Sequence, residues 1–199
     1  MSFFSTTATL RHTSLLPAGT DKTQAIKTIL QDHKAFIQCG PHSVDCEHVT
    51  GDEAAKLAAT TLSSQKEHPL PEDVWAVIEA PSGNVDGRQF AIYRVTDVVQ
   101  TLPAGLWDSK VVSTYEMIDT AAGVYVRIRS PMSIVMDTTW SIINVDGGDQ
   151  LELIEEIVIY CSRLLVGTVK GLCEGGWQQI HANMIRRLTD GDNAELEKK

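Results

Sequence analysis

Residues 151–190 read LELIEEIVIYCSRLLVGTVKGLCEGGWQQIHANMIRRLTD, and the hydrophobic period changes inside this stretch. From Leu151 to Cys161 the residues alternate. The odd set is Leu151, Leu153, Glu155, Ile157, Ile159 and Cys161, and it is far more apolar than the even set of Glu152, Ile154, Glu156, Val158 and Tyr160. That is the period of a half-buried strand. From about Arg163 to Asp190, Val166, Val169, Cys173, Trp177, Ile180, Met184 and Leu188 step by three and four, the period of an amphipathic helix. A strand feeding straight into a long C-terminal helix predicts a sheet with one face closed by that helix.

Working upstream, Val74–Ala80, Arg88–Val99, Lys110–Ile118, Gly123–Arg129 and Ser133–Val145 read as further strands, rich in Val, Ile, Tyr and Thr. Turn signals such as Pro103-Ala104-Gly105 and Asp146-Gly147-Gly148-Asp149 separate them. The short connections require antiparallel neighbours, because parallel pairs need a long crossover. Residues 4–15 predict an opening strand. Thr20 or Asp21 then caps a helix to about Gln38, with Ile26, Ile29, Leu30, Phe36 and Ile37 around one face. Ser43 to His48 is a candidate short strand, Asp52–Ser64 a surface helix, and the residues up to Asp73 a loop. The expected architecture is one α+β domain over 1–190, a curved antiparallel sheet wrapped around a long C-terminal helix. Its outer face is free to meet water, and 191–199 form a frayed polar tail.

Composition narrows the function classes. A net charge of −9 argues against nucleic acid or an anionic membrane surface as the main partner. No apolar run approaches the ~20 residues of a membrane span. Residues Met1 to Leu10 lack the pattern of a secretory signal, and four cysteines in a chain of this length do not make a disulfide framework, so reduced thiols and a cytoplasmic location are expected. His33, Cys39, His42, Cys46 and His48 lie close together, but their spacing fits no standard zinc finger. No nucleophile-elbow, dinucleotide or Walker sequence is present, and neither metal nor cofactor is expected.

The segments LLPAGTDKTQAIKTILQDH (15–33), YRVTDVVQTLPAGLWDSKVV (93–112), VYVRIRSPMSIVMDTTWSI (124–142) and LELIEEIVIYCS (151–162) resemble a family of uncharacterised fungal START-like proteins. These belong to the SRPBCC, polyketide-cyclase or helix-grip superfamily. The resemblance covers roughly the whole chain except 49–87, a divergent insertion. It implies a hydrophobic cavity, an association with fungal secondary metabolism and no obligatory cofactor.

Alternation sorts the candidate cavity residues. Glu155 falls on the apolar face of its strand, where burial would raise its pKa and suit a general acid or base; a local twist would instead carry it to the rim. Tyr115, on a face with Val111, Ser113 and Met117, can hydrogen-bond either a ligand carbonyl or the backbone. Met136 and Trp140 share the inward face of 132–144, as cavity wall or as core. Val124, Val126 and Ile128 form one face of their strand; Tyr125, Arg127 and Arg129 form the other, expected to be the solvated convex side, with an inward Arg127 as the alternative. Trp107 sits on a loop, as a lid or a packed anchor. Gly167, Gly171 and Gly175, with Gly176 beside them, make a bare helical stripe, read as room for a ligand or a strand, or as a helix break near Gly175-Gly176. Trp177 and His181 follow at i and i+4, with His181 expected mainly at the rim. The candidate catalytic set is therefore Glu155, Tyr115 and His181, and the candidate substrate contacts are Trp107, Met136, Trp140, Ile157, Cys173 and Trp177. The expected partner is a small apolar molecule. The expected activity is a cofactor-independent cyclase or isomerase acting on a terpenoid or polyketide-like intermediate, pericyclic reactions such as Diels–Alder included. A lipid, sterol or metabolite carrier is the alternative.

Overall fold

The first and last strands lie side by side: β1 (Ser5–Leu15) pairs antiparallel with β8 (Leu151–Ser162), placing His12 opposite Glu155. The computed structural model describes residues 5–80, 84–100 and 108–196. Between these strands come β2 (Ser43–Val49), β3 (Asn84–Val85), β4 (Arg88–Gln100), β5 (Asp108–Asp119), β6 (Gly123–Ser130) and β7 (Ile134–Asn144). The antiparallel sheet runs β1-β8-β7-β6-β5-β4-β2, with β3 paired to β4 off that path. The fold class is the expected one, α+β with a long C-terminal helix.

That helix, α5, spans Val166–Leu196 and packs on β1 and β8. Val169, Met184 and Leu188, spaced as the sequence predicts, are buried beneath it. Helix continues past Asp190 to Leu196, where a frayed tail was expected.

Two elements differ from expectation. The single helix expected from Thr20 or Asp21 to Gln38 is three pieces. Asp21 caps α1 (Lys22–Ala25), which widens into a π-helical turn over Ile26–Leu30, where Gln31 N–H bonds the Ile26 carbonyl at 3.0 Å. The Asp32 carboxylate then accepts from Ala35 N–H at 3.0 Å and starts α2 (His33–Ile37). The wide turn lets Ile26, Ile29 and Leu30 all enter the core. Residues 74–80 are helix rather than strand: α4 is Glu72–Glu79. Glu72 and Asp73 stand in its first turn, where carboxylates favour the N-terminal dipole, and Val74, Val77 and Ile78 are buried at helical spacing. In a short apolar run, a period of two and one of three to four are hard to tell apart.

α4 and its neighbour α3 (Gly51–Ser63) change the outer face of the sheet. Arg127 and Arg129 do point to that face, but it is covered rather than solvated. Val74, Val77 and Ile78 pack on Ile118 and Tyr125. Arg127 is fully buried and holds Asp137 through two bonds of 2.7 Å; it also donates to the His68 carbonyl at 3.0 Å and the Tyr125 hydroxyl at 3.2 Å. Arg129 binds Glu116 at 2.8 Å, and Thr61 of α3 donates to the same carboxylate. Both faces of the sheet are therefore buried over part of its area.

Glycine is needed at one site and dispensable at another. A Cβ at Gly123 would collide with the Trp140 carbonyl oxygen and lie 2.7 Å from Leu30 Cδ1. Gly167, Gly171 and Gly175 face solvent, with nothing within 4 Å of an added Cβ, so these three make room for neither strand nor ligand, whereas Gly176 beside them lines the cavity under the helix. Gly123→Ala should lower unfolding stability by about 1–3 kcal/mol through overpacking. Gly171→Ala should raise it by up to about 1 kcal/mol by restoring helix propensity. Denaturant titration of the two variants checks both signs.

Candidate functional site

The inward residues of β5 to β8 and the underside of α5 line a cavity of about 240 Å³ that is open on one side. α2 closes one side with Phe36 and Ile37, and the Phe36 ring meets Trp140 edge-on at 5.2 Å. α5 is pinned to α2 and the turn that follows it: Arg187 donates to the Ala35 carbonyl and Asn183 to the Cys39 carbonyl, both at 2.9 Å. Exposed Pro41, His42 and Leu172 stand at its edge beside Ser43 and Asp97, whose side chains are hydrogen-bonded at 2.7 Å.

Eight of the nine sequence-selected residues can be located. Tyr115, Met136, Trp140, Glu155, Ile157, Cys173 and Trp177 all line this cavity. His181 lies directly behind the wall. Trp107 falls outside the described residues. The Cys173 sulfur rests 3.9 Å from that of Met136, and burial, helped by the Glu155 charge, pushes its thiol up to about 12. Burial also raises the Tyr115 phenol, so the hydroxyl is a neutral donor.

The polar centre of the wall is Glu155. Alternation along β8 turns it inward, and it is only 5% exposed. Its Oε2 is 2.8 Å from His12 Nδ1 and 3.9 Å from His181 Nε2. Burial raises the pKa of the carboxyl, and the bond and charge of His12 draw it back. His12 stacks on Trp177, with ring centroids 4.9 Å apart and planes 4° from parallel. His181, expected at the rim, is 1% exposed, because β1 runs beneath it. Its Nδ1 is 2.8 Å from Ser14 Oγ, while its Nε2 has no hydrogen-bond partner among the described residues. Burial, with the charge of His12, lowers its pKa to about 4. Sequence reading missed His12 and Ser14. The signal was present: the even residues of β1 are Thr6, Ala8, Leu10, His12 and Ser14, an inward face ending in two polar groups.

The His/Cys group at 33–48 is dispersed. His33 bonds Asp119 at 2.9 Å, Cys39 is in the core, His42 is at the cavity edge and His48 packs on Tyr93. Among the described residues no three His, Cys, Asp or Glu side chains converge as metal ligands. Nor is any helix among them long and apolar enough to cross a membrane.

An antiparallel sheet gripping a C-terminal helix over a largely apolar cavity defines the helix-grip fold class, Bet v 1-like in its architecture. Within that class the chain belongs to the family described as "Domain of unknown function (DUF7053)", whose model matches residues 5–190. No curated protein matches the chain. Among solved structures it is similar to TTHA0849 from Thermus thermophilus, with a TM-score of 0.56 and 12% identity over 92% of this chain and 99% of that one. It is also similar to Ara h 8.0201, with a TM-score of 0.54 and 12% identity over 93% and 99%. At such identities the likeness shows the fold alone.

The depressed pKa of His181 has a consequence for stability. Its folded value of about 4 lies below the unfolded value near 6.5, so its contribution is complete above the latter and is lost as pH falls toward the former. Glu155 acts with opposite sign, since a raised carboxyl pKa favours the folded state on the acid side and loses that benefit as pH rises. His181→Gln should flatten the acid-side loss by about 3 kcal/mol between pH 7 and pH 4, an order-of-magnitude figure. Denaturant unfolding of both proteins at the two pH values measures it.

Proposed function

We propose that this protein binds a small apolar metabolite in the cavity and rearranges it, by cyclisation or isomerisation, without a cofactor. The substrate is a terpenoid or polyketide-like intermediate of fungal secondary metabolism, as the sequence resemblance implies, and the four free cysteines favour a cytoplasmic setting. The observation that carries this reading is a buried carboxyl in the wall of a largely apolar chamber. Desolvating such a group costs several kcal/mol unless it is paired or neutral. A chamber that merely stores an oily molecule has no need of it.

The helix-grip fold supports the binding part, since a cavity roofed by α5 suits a small hydrophobic ligand. The volume is just under the roughly 300–1,000 Å³ of common small-molecule sites, which favours a compact guest. Catalysis would be largely geometric: the walls select one reactive conformer, and Tyr115 and Glu155 polarise it as charge shifts.

Native mass spectrometry and Trp140/Trp177 fluorescence quenching with small terpenoids and aromatic ketones test the binding. Met136→Trp should fill the chamber and weaken binding by roughly tenfold or more, the loss of ~1.4 kcal/mol. Unchanged affinity in that variant would place the guest elsewhere and end the reading. A bound compound recovered chemically unchanged after prolonged incubation would end the catalytic part and leave a carrier.

A further inference from the structure

The cavity wall treats the two oxygens of Glu155 differently. Both contacts of the carboxyl, to His12 at 2.8 Å and to His181 at 3.9 Å, are made by Oε2. Oε1 has no hydrogen-bond partner among the described residues, and Glu155 is part of the cavity lining. Taking the cavity as a ligand site, on which this rests, we infer that Glu155 Oε1 is a proton-transferring base for an enolisable carbonyl compound, with His12 and His181 as the residues that position it.

His12 is fixed from two sides. Its Nδ1 faces Glu155, and its ring lies flat on Trp177, a wall residue. His181 is oriented by Ser14. If the Ser14 hydroxyl donates to Nδ1, the imidazole proton sits on Nε2, the buried atom that has no partner and faces Oε2. A second donor 3.9 Å away is too far to be a hydrogen bond but needs only a small shift to become one when the carboxylate is charged. Both positioning groups thus act on one oxygen and leave the other to the guest.

Tyr115 supplies the complementary group. It lines the same cavity from β5, and its hydroxyl has no hydrogen-bond partner among the described residues. β6 and β7 separate β5 from β8, about 14 Å of backbone at roughly 4.8 Å per strand, so the two side chains can reach toward a ring system lying between them. One neutral donor and one acceptor across apolar walls suit a neutral molecule with an acceptor oxygen and a removable proton. A carboxylate Oε1 takes the proton from the carbon next to the carbonyl. The C–H electron pair becomes the enolate double bond, and the carbonyl π pair moves to oxygen, which accepts the Tyr115 hydrogen bond. The carboxylic acid then returns the proton, to the same carbon or to a conjugated one. The step needs no oxidant or further reactant.

The titratable groups facing Glu155 are His12 from β1 and His181 and Cys173 from α5, while β7 sets Trp140 opposite it. The probe is 2-tetralone, a compact bicyclic ketone, with tetralin as its carbonyl-free analogue. Binding is read by tryptophan quenching, and proton abstraction by deuterium uptake next to the carbonyl in D2O, followed by NMR. The intact protein should bind 2-tetralone and speed exchange by roughly a hundredfold or more over buffer, the usual scale of a positioned general base. Glu155→Gln should bind it and lose that acceleration. His12→Asn, which keeps an N–H donor near Oε2, should retain much of the rate. His12→Leu should lower the rate and move its acid limb to higher pH, because His12 draws the Glu155 pKa down. A merely structural role for His12 would not shift that limb. Binding with exchange no faster than buffer, or acceleration that survives Glu155→Gln, overturns the inference and leaves the cavity reading standing. If neither tetralin nor 2-tetralone binds, both readings fall.

Discussion

A carboxyl group enclosed among aliphatic side chains has to be answered by a partner, and the answer to Glu155 ties the molecule together. Its partner His12 is on the first strand, 143 residues away in sequence. His12 lies opposite it because β1 and β8 pair in one register, and slipping that register by one residue would turn His12 outward. His181 is set above the same carboxyl by α5, and Ser14 orients it from β1. One buried charge thus couples both ends of the chain and the roofing helix. Removing a partner would leave an unanswered charge in the interior, the costliest kind of defect.

The opposite face of the sheet follows the same rule with a different solution. Arg127 and Asp137 are neighbours across β6 and β7, and neither is exposed by more than a few per cent. Their burial depends on the insertion that carries α3 and α4, which lays apolar side chains beside the ion pairs and adds a carbonyl and hydroxyls to them. On the concave side Glu155 Oε1 and His181 Nε2 have no hydrogen-bond partner among the described residues. The convex face, apart from Arg127 Nη1 and His68 Nδ1, engages nearly all its polar groups among the described residues.

How much of this was legible in the sequence depended on whether the signal was local. The switch of period at 151–190 revealed both β8 and α5, and alternation alone turned Glu155, Met136, Trp140 and Tyr115 toward the cavity. Seven proposed wall residues meet there because each follows from its own strand or helix face. Failures occurred where depth or partner came from distant chain. The face carrying Arg127 read as solvated, since nothing within 124–129 shows that residues 51–79 cover it. His181 read as a rim residue, since its spacing from Trp177 gives direction but not depth. His12 was within reach, had the two faces of β1 been sorted as those of β8 were. Val74–Ala80 was too short for its period to separate helix from strand.

The outward row of glycines on α5 bears on how a guest would enter. At Gly167, Gly171 and Gly175 a side chain would meet open space, yet each glycine lowers intrinsic helix stability by about 1 kcal/mol relative to alanine. They occupy the stretch whose underside carries Cys173 and Trp177 over the cavity, whereas Met184 and Leu188 anchor the later turns in the main core. The sheet below is clad and ion-paired on its far side. Local unwinding of α5 is therefore least costly in its N-terminal half, the stretch that carries Cys173 and Trp177 over the cavity.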